Sequence, residues 1–244
     1  MAGLTAMSAG YFFMYKNFVS FGFFQSKCYN TGMVITYLGK QFFKVQYGDM
    51  VIAFNPVSKQ SKLSAKAPHF GSAIALSTTN HADYNGFEAV EYAGTVPFAI
   101  SGPGDYEVKD IFIKGAISEA EIDGKKYINT IYMLTVDSIS ICFMGCLGTA
   151  KVSADTREAI GSPDIIFVPI SGTHTVDAKD AYNLAASFEP HIIIPMDYDD
   201  GKDALKTFLK EAGEEKKEAI EKLTLKRKDL DGMESDVVVL ESVF

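Results

Sequence analysis

From residue 33 onward the chain alternates apolar and polar positions in short runs separated by turn residues. The runs at 34–38, 42–46 and 50–54 read as strands, with Tyr47-Gly48-Asp49 as the turn joining the last two. Residues 73–77 form a further apolar strand that runs into a polar stretch. The runs at 98–101, 111–117, 128–136 and 139–144 continue this β-rich half, with Val136-Asp137-Ser138 turning the final pair. The 128–144 pair repeats the pattern of the 42–54 pair: two apolar strands around a tight acidic turn, leading to a polar position at Cys146 or Asn55. This is a weak internal repeat.

The period then changes. Residues 153–160, 178–187 and 202–223 carry apolar positions at helical spacing, and two uniformly apolar strands, 165–170 and 192–195, lie between them. Asp177 fits as the N-cap of the second helix, because its carboxylate can take an otherwise unpaired amide of the first turn. The Lys/Glu-rich stretch 211–228 reads as a solvated helix face ending in a charged connection, and 236–243 as a closing strand. This order predicts two sheets flanked by helices, with approximate internal duplication.

Composition narrows the function classes. With 47% hydrophobic and 12% aromatic residues, the 244-residue chain can bury one substantial core or two small ones. Lys plus Arg total 23 against 31 Asp plus Glu, a formal charge of -8. That excess of acid argues against a nucleic-acid partner, because such binding depends on cations neutralising phosphates. Three cysteines, Cys28, Cys142 and Cys146, are too few for a disulfide framework and imply a reducing compartment, the cytoplasm. No uncharged apolar run reaches the roughly 18 residues a membrane-spanning helix needs, so no integral membrane span is expected.

Residues 1–32 differ from the rest, being aromatic, dotted with Gly and Ser, and free of acids. Lys16 and Asn17 interrupt the most apolar part, so the segment reads as an N-terminal arm rather than a secretory signal. It could be an edge hairpin, a loose arm or a membrane-surface element, and the working domain is placed at 33–244.

The segment richest in chemistry follows the 73–77 strand: Thr78-Thr79-Asn80-His81-Ala82-Asp83-Tyr84. It resembles the Thr-His-x-His-x-Asp-His loop of the metallo-β-lactamase-fold hydrolases, which implies an αββα four-layer sandwich. In that register Thr79, His81, Asp83 and Tyr84 stand at the four ligand positions. Further segments resemble the branch containing the ascorbate-6-phosphate lactonase-like proteins. Ile35-Thr36-Tyr37-Leu38-Gly39 is similar to its Ile-Thr-x-Leu-Gly-His opening, with Lys40 where the His would stand. Ile52-Ala53-Phe54-Asn55-Pro56 is similar to Leu-Ile-Asp-Pro, with Asn55 for the Asp. Residues 100–108 resemble a Gly-Pro-Gly-Glu-Tyr-Glu-Val signature, and residues 141–149 place Cys146 at the bridging Asp. Residues 192–198 place Asp197 at the final His, and 114–119 contain no counterpart of a further expected His.

The resemblance therefore implies a hydrolase-family protein in which Lys40, Asn55, Thr79, His81, Asp83, Tyr84, Cys146 and Asp197 line the former metal pocket. Zinc is held by Cys sulfur, His nitrogen or carboxylate oxygen, so Thr79 and Tyr84 are poor replacements and a dinuclear centre is not expected. One reading is a pseudoenzyme without cofactor that binds a small molecule or a protein. The other is a hydrolase of a phosphorylated or lactone-like substrate, with one zinc or other divalent metal held by His81, Asp83, Cys146 and Asp197. Lys40 could offset the charge of Asp83 and Asp197 in a metal-free pocket, or simply lie exposed on a loop. Cys146 and His81 could form a thiolate–imidazole pair, whereas Cys142 reads as core. Gly102-Pro103-Gly104 and Ser171-Gly172-Thr173 could present amides to an anion or serve only as turns. His69, His174 and His191 are isolated in sequence, with solvent or core roles expected.

Overall fold

The computed structural model describes residues 32–63, 70–198 and 202–243. Apart from Gly32, the expected arm lies outside the described residues, as do Cys28 and His69. One sheet comprises β1 (Met33–Tyr37), β2 (Phe43–Tyr47), β3 (Met50–Phe54), β4 (Ile74–Ser77) and β5 (Phe98–Ser101). It is extended beside β1 by β12 (Leu223–Leu225). The other comprises β6 (Gly104–Val108), β7 (Ile111–Ile122), β8 (Lys125–Val136), β9 (Ile139–Phe143), β10 (Ile165–Pro169), β11 (Ile192–Met196) and β13 (Asp236–Val237), in the order β13-β11-β10-β9-β8-β7-β6.

The internal repeat extends well beyond one hairpin. Along β1 to β5 the successive pairings are antiparallel, antiparallel, parallel, parallel, and along β7 to β11 they follow the same series. Each sheet therefore points the carboxyl ends of its first, third, fourth and fifth strands of the series in one direction. The loops after those ends make the edge on which the candidate site is built.

Alternation sets which side chains meet between the sheets. Met33, Ile35 and Tyr37 of β1, and Phe43 and Val45 of β2, point inward. They meet Phe143 of β9 and Phe167 of β10, and Phe54 stacks on Phe143 at a centroid distance of 4.6 Å. Truncating one of these rings to alanine would cost about 3–5 kcal/mol through lost burial and the cavity left behind. The central strands β10 and β11 are buried along their whole length, which is why both read as unbroken apolar runs. Their outer face packs on α1 (Ala154–Ile160), α2 (Ala178–Ala186) and α3 (Lys202–Glu211) through residues such as Ile160, Leu184 and Phe208.

Outside the first sheet, the described residues contribute a 3₁₀ turn (Phe87–Val90) and loops, which close a smaller cluster of Leu38, Phe42, Val57 and Val90. The αββα layering is thus met, with one outer layer reduced among the described residues. Ser153 caps α1 by accepting from the Thr156 amide, and Asp177 caps α2 as expected, accepting from Lys179 and Asp180.

Five sequence expectations are corrected. The helix predicted over 202–223 stops at Glu211, because Gly213 turns left-handed and the Glu214 amide closes onto the Leu209 carbonyl at 2.8 Å. The charged stretch beyond is therefore no helix face, and it leads into β12. The closing strand is only Asp236–Val237, followed by a bridge between Ile220 and Leu240. Gly104 begins a strand, β6, rather than only ending a turn, and the β7–β8 hairpin runs to Ile122 and Lys125, past its apolar stretch.

Candidate functional site

Six loops converge at the carboxyl edge. They follow β1 (Lys40, Gln41), β3 (Asn55), β4 (Thr78 to Tyr84), β9 (Cys146), β10 (His174) and β11 (Asp197). Lys40, Asn55 and Asp197 all take left-handed backbone conformations, with φ of 54°, 48° and 62°. Such geometry costs of order 1–3 kcal/mol per residue and persists only where surroundings enforce it. Here the Asp197 amide donates to the Lys40 carbonyl at 2.7 Å, and the Asn55 amide donates to the Leu76 carbonyl at 2.7 Å.

The centre of the site is the Asp197 carboxylate, 1% exposed. Oδ2 accepts from Gln41 Nε2 at 3.1 Å and lies 2.9 Å from His174 Nε2. Oδ1 has no hydrogen-bond partner and sits 3.6 Å from the Lys40 ammonium. Burial pushes the Asp197 carboxyl up, but the His174 bond and charge, Lys40 and Gln41 together hold it below the usual carboxylate range. The same bond raises His174, against the opposing effect of its own burial.

From this centre a chain of hydrogen bonds runs both ways. Gln41 Oε1 accepts from Asn55 Nδ2 at 3.1 Å, and Asn55 Oδ1 accepts from the Thr78 amide at 2.8 Å. On the other side His174 Nε2 meets the Tyr84 hydroxyl at 3.2 Å, and the Cys146 thiol donates to that hydroxyl at 3.9 Å. His174 Nδ1 is taken by the Thr173 hydroxyl at 3.0 Å, so both ring nitrogens have protein partners. Tyr84 is held well above its ordinary pKa by burial and by the Asp197 charge. Burial, with the Asp197 charge behind it, pushes the Cys146 thiol up to about 12.

Asn129, in β8, ties the Cys146 loop to the Thr79 loop. Its Oδ1 accepts from the Cys146 amide at 2.8 Å and from the Thr79 hydroxyl at 3.3 Å, while Nδ2 donates to Met144 O at 2.9 Å and Ser118 Oγ at 2.8 Å. Gly145 lets the loops come this close: a Cβ there would lie 2.5 Å from Thr78 Cβ, on a backbone with φ of 60°.

The structure thus brings Lys40, Asn55, Tyr84, Cys146 and Asp197 into one network. His81 and Asp83 form a separate, more exposed pair 3.6 Å apart, with Asp83 also accepting from Ser61. Thr79 is turned to Asn129 rather than toward Asp197. The Cys146–His81 pair considered from sequence is replaced by Cys146–Tyr84, and burial raises the thiol. Lys40 pairs with Asp197 rather than lying free on a loop. Among the described residues, no group of three or more His, Cys, Asp and Glu side chains gathers to hold a metal, so His81, Asp83, Cys146 and Asp197 do not form one cluster.

Gln41 was not singled out from sequence, and His174, expected in a solvent or core role, is corrected to a member of the network. His174 follows β10 as His81 follows β4, and β10 is the counterpart of β4 in the repeated pairing series. Following the repeat through would have pointed to it. His191, by contrast, pairs with Asp164 at 3.1 Å, with Arg227 on the same carboxylate.

Residues 34–197 match the family described as Beta-lactamase superfamily domain, and the chain belongs to that family. A protein of the metallo-beta-lactamase superfamily from Thermotoga maritima is 23% identical, with 86% of this chain and 99% of that chain covered and a TM-score of 0.62. Igni18, a metallo hydrolase from Ignicoccus hospitalis, is 18% identical over 86% and 96% of the two chains, with a TM-score of 0.57. The metallo-beta-lactamase fold protein YhfI from Bacillus subtilis is 11% identical over 86% and 97%, with a TM-score of 0.54. These likenesses establish the fold. No curated protein sequence matches the chain. No described helix is long and apolar enough to cross a membrane.

Proposed function

We propose that this chain is a non-catalytic member of the metallo-β-lactamase-fold hydrolases, from the branch resembling ascorbate-6-phosphate lactonases, in which a protein network replaces the dinuclear metal centre. It acts by binding a small molecule or a protein. The observation that carries the reading is the Asp197 carboxylate, buried and taken up by Lys40, Gln41 and His174.

A metal does not suit this donor set. An ammonium 3.6 Å from the carboxylate repels a dication, and it supplies the positive charge the acid needs. The Cys146 thiol is fully buried and already turned to the Tyr84 hydroxyl. Tyr84 and Thr79 are neutral oxygen donors already used by His174, Cys146 and Asn129. The mononuclear hydrolase reading would require Lys40 to leave and Asp83 to cross toward Asp197.

The test is elemental analysis of protein produced in zinc- and iron-supplemented medium. Metal well below one equivalent per chain is the expected result, and stoichiometric zinc or iron that is lost in Asp197→Asn overturns the reading. Should metal be present, its retention in Asp197→Asn would show that it is bound away from this network.

A further inference from the structure

The β7–β8 hairpin exposes two isoleucines, Ile117 and Ile128, each at 57% of its surface. They line a cleft of about 560 Å³, closed by Tyr127 and Leu147 and by the loop leading into α1. Ligand pockets commonly occupy about 300–1,000 Å³ and are mostly apolar with a few placed polar groups. The cleft is separate from the Asp197 network. Tyr127 lines the cleft and packs on its other side against the cluster of Tyr84 and Cys146, and Leu147 is the residue after Cys146.

The polar groups of the cleft are unequal. The Ser118 hydroxyl is bonded to Asn129, Thr149 Oγ1 accepts from the Lys151 amide, and Thr156 Oγ1 bonds Ser153 and the Ile117 carbonyl. A polyhydroxylated ligand would find these hydroxyls already engaged. Lys126 and Lys151 are different: both are exposed lining residues, and neither forms an ion pair with a described carboxylate. Glu119 is the single acid in the lining, so the cleft carries a net positive charge on a chain whose formal charge is -8.

We propose that this cleft binds a small carboxylate with an extended apolar body, a medium-chain acyl anion. The chain lies along Ile117, Ile128 and Leu147, and the carboxylate is met by Lys126 and Lys151. Removal of the exposed isoleucine surface from water drives binding, and the two ammonium groups select an acid over an alcohol of the same length.

Isothermal titration of the full chain with octanoate, 1-octanol and acetate tests this, at concentrations below micelle formation. Octanoate is expected to bind at least about tenfold more tightly than either of the others, the ratio that a modest apolar or ionic contribution supplies. Ile128→Asp should abolish octanoate binding, and Lys126→Gln with Lys151→Gln should reduce octanoate to the affinity of octanol. All three substitutions are at exposed positions, and an unchanged melting temperature verifies that the variants remain folded. The proposal is overturned if octanoate fails to bind at millimolar concentration, if octanol or acetate equals it, or if Ile128→Asp leaves its affinity unchanged. The outcome is independent of whether the Asp197 network holds a metal.

Discussion

Lys40 and Asp197 meet twice: the Lys40 carbonyl accepts from the Asp197 amide at 2.7 Å, and the Lys40 ammonium lies 3.6 Å from Asp197 Oδ1. Both residues are left-handed, so the backbone contact that fixes their conformations also aims their side chains at each other.

Lys40→Met tests the side-chain half of this clasp while leaving its backbone half. Losing a buried charge partner costs about 3–5 kcal/mol when nothing else compensates. Asp197 keeps His174 and Gln41, so a loss of about 2 kcal/mol is expected by denaturant unfolding. In an Asp197→Asn background the same substitution should cost well under half as much. A neutral Lys40→Met would refute the ion pair's contribution.

The pH dependence of stability follows from the same carboxylate. His174 is raised by folding, so its contribution is complete below its unfolded value of about 6.5 and is lost as pH climbs through the higher folded value. Asp197 is lowered, so its contribution is present above about 3.9 and is lost as pH falls through the lower folded value. Melting temperature should therefore decline on the alkaline side in the native chain, and His174→Asn should flatten that decline. An unchanged alkaline limb in the variant would remove His174 from the network.

Cys146 is fully buried and its thiol is pushed up to about 12. Because the thiolate is the reactive species, alkylation by iodoacetamide at neutral pH should be slower than for an open thiol by a factor of about 1,000 or more. Site-resolved mass spectrometry measures this, with full labelling expected after denaturation. Rapid native labelling at Cys146 would show that the site opens.

Asn129 makes four hydrogen bonds, one to Thr79 of the first sheet's loop and three to Cys146, Met144 and Ser118 of its own sheet. Asn129→Ala should cost about 2–4 kcal/mol, because several buried partners lose their bonds at once. Asn129→Asp should be at least as harmful, since a carboxylate cannot donate to the Met144 carbonyl. Thermal unfolding of the two variants compares them directly.

The strands were largely legible in the sequence because alternation and turn residues act locally. β3 and β5 fall where the pattern placed them, and Asp177 caps α2 as its position suggested. The helix at 202 was read too far because charged residues after Gly213 mimic a solvated helical face; the glycine itself was the stop signal. In the site, Lys40, Asn55 and Asp197 were reached through the resemblance, as the residues standing at the family's motif positions. Gln41 was not, since an amide gains significance only when a buried acid stands beside it. Asn129 was hidden in mid-strand, where its bonds depend on how Gly145 lets another loop approach.

The strand β12, at residues 223–225, lies beside β1 with Met33 opposite Leu225. Translation delivers that strand only after every other strand of its sheet and every loop of the site has been made. Until then β1 presents an open row of amides and carbonyls, a template for pairing with other nascent chains. A premature stop anywhere ahead of residue 223 would leave that edge open permanently, making truncated products prone to aggregate even where every site loop has already been synthesised.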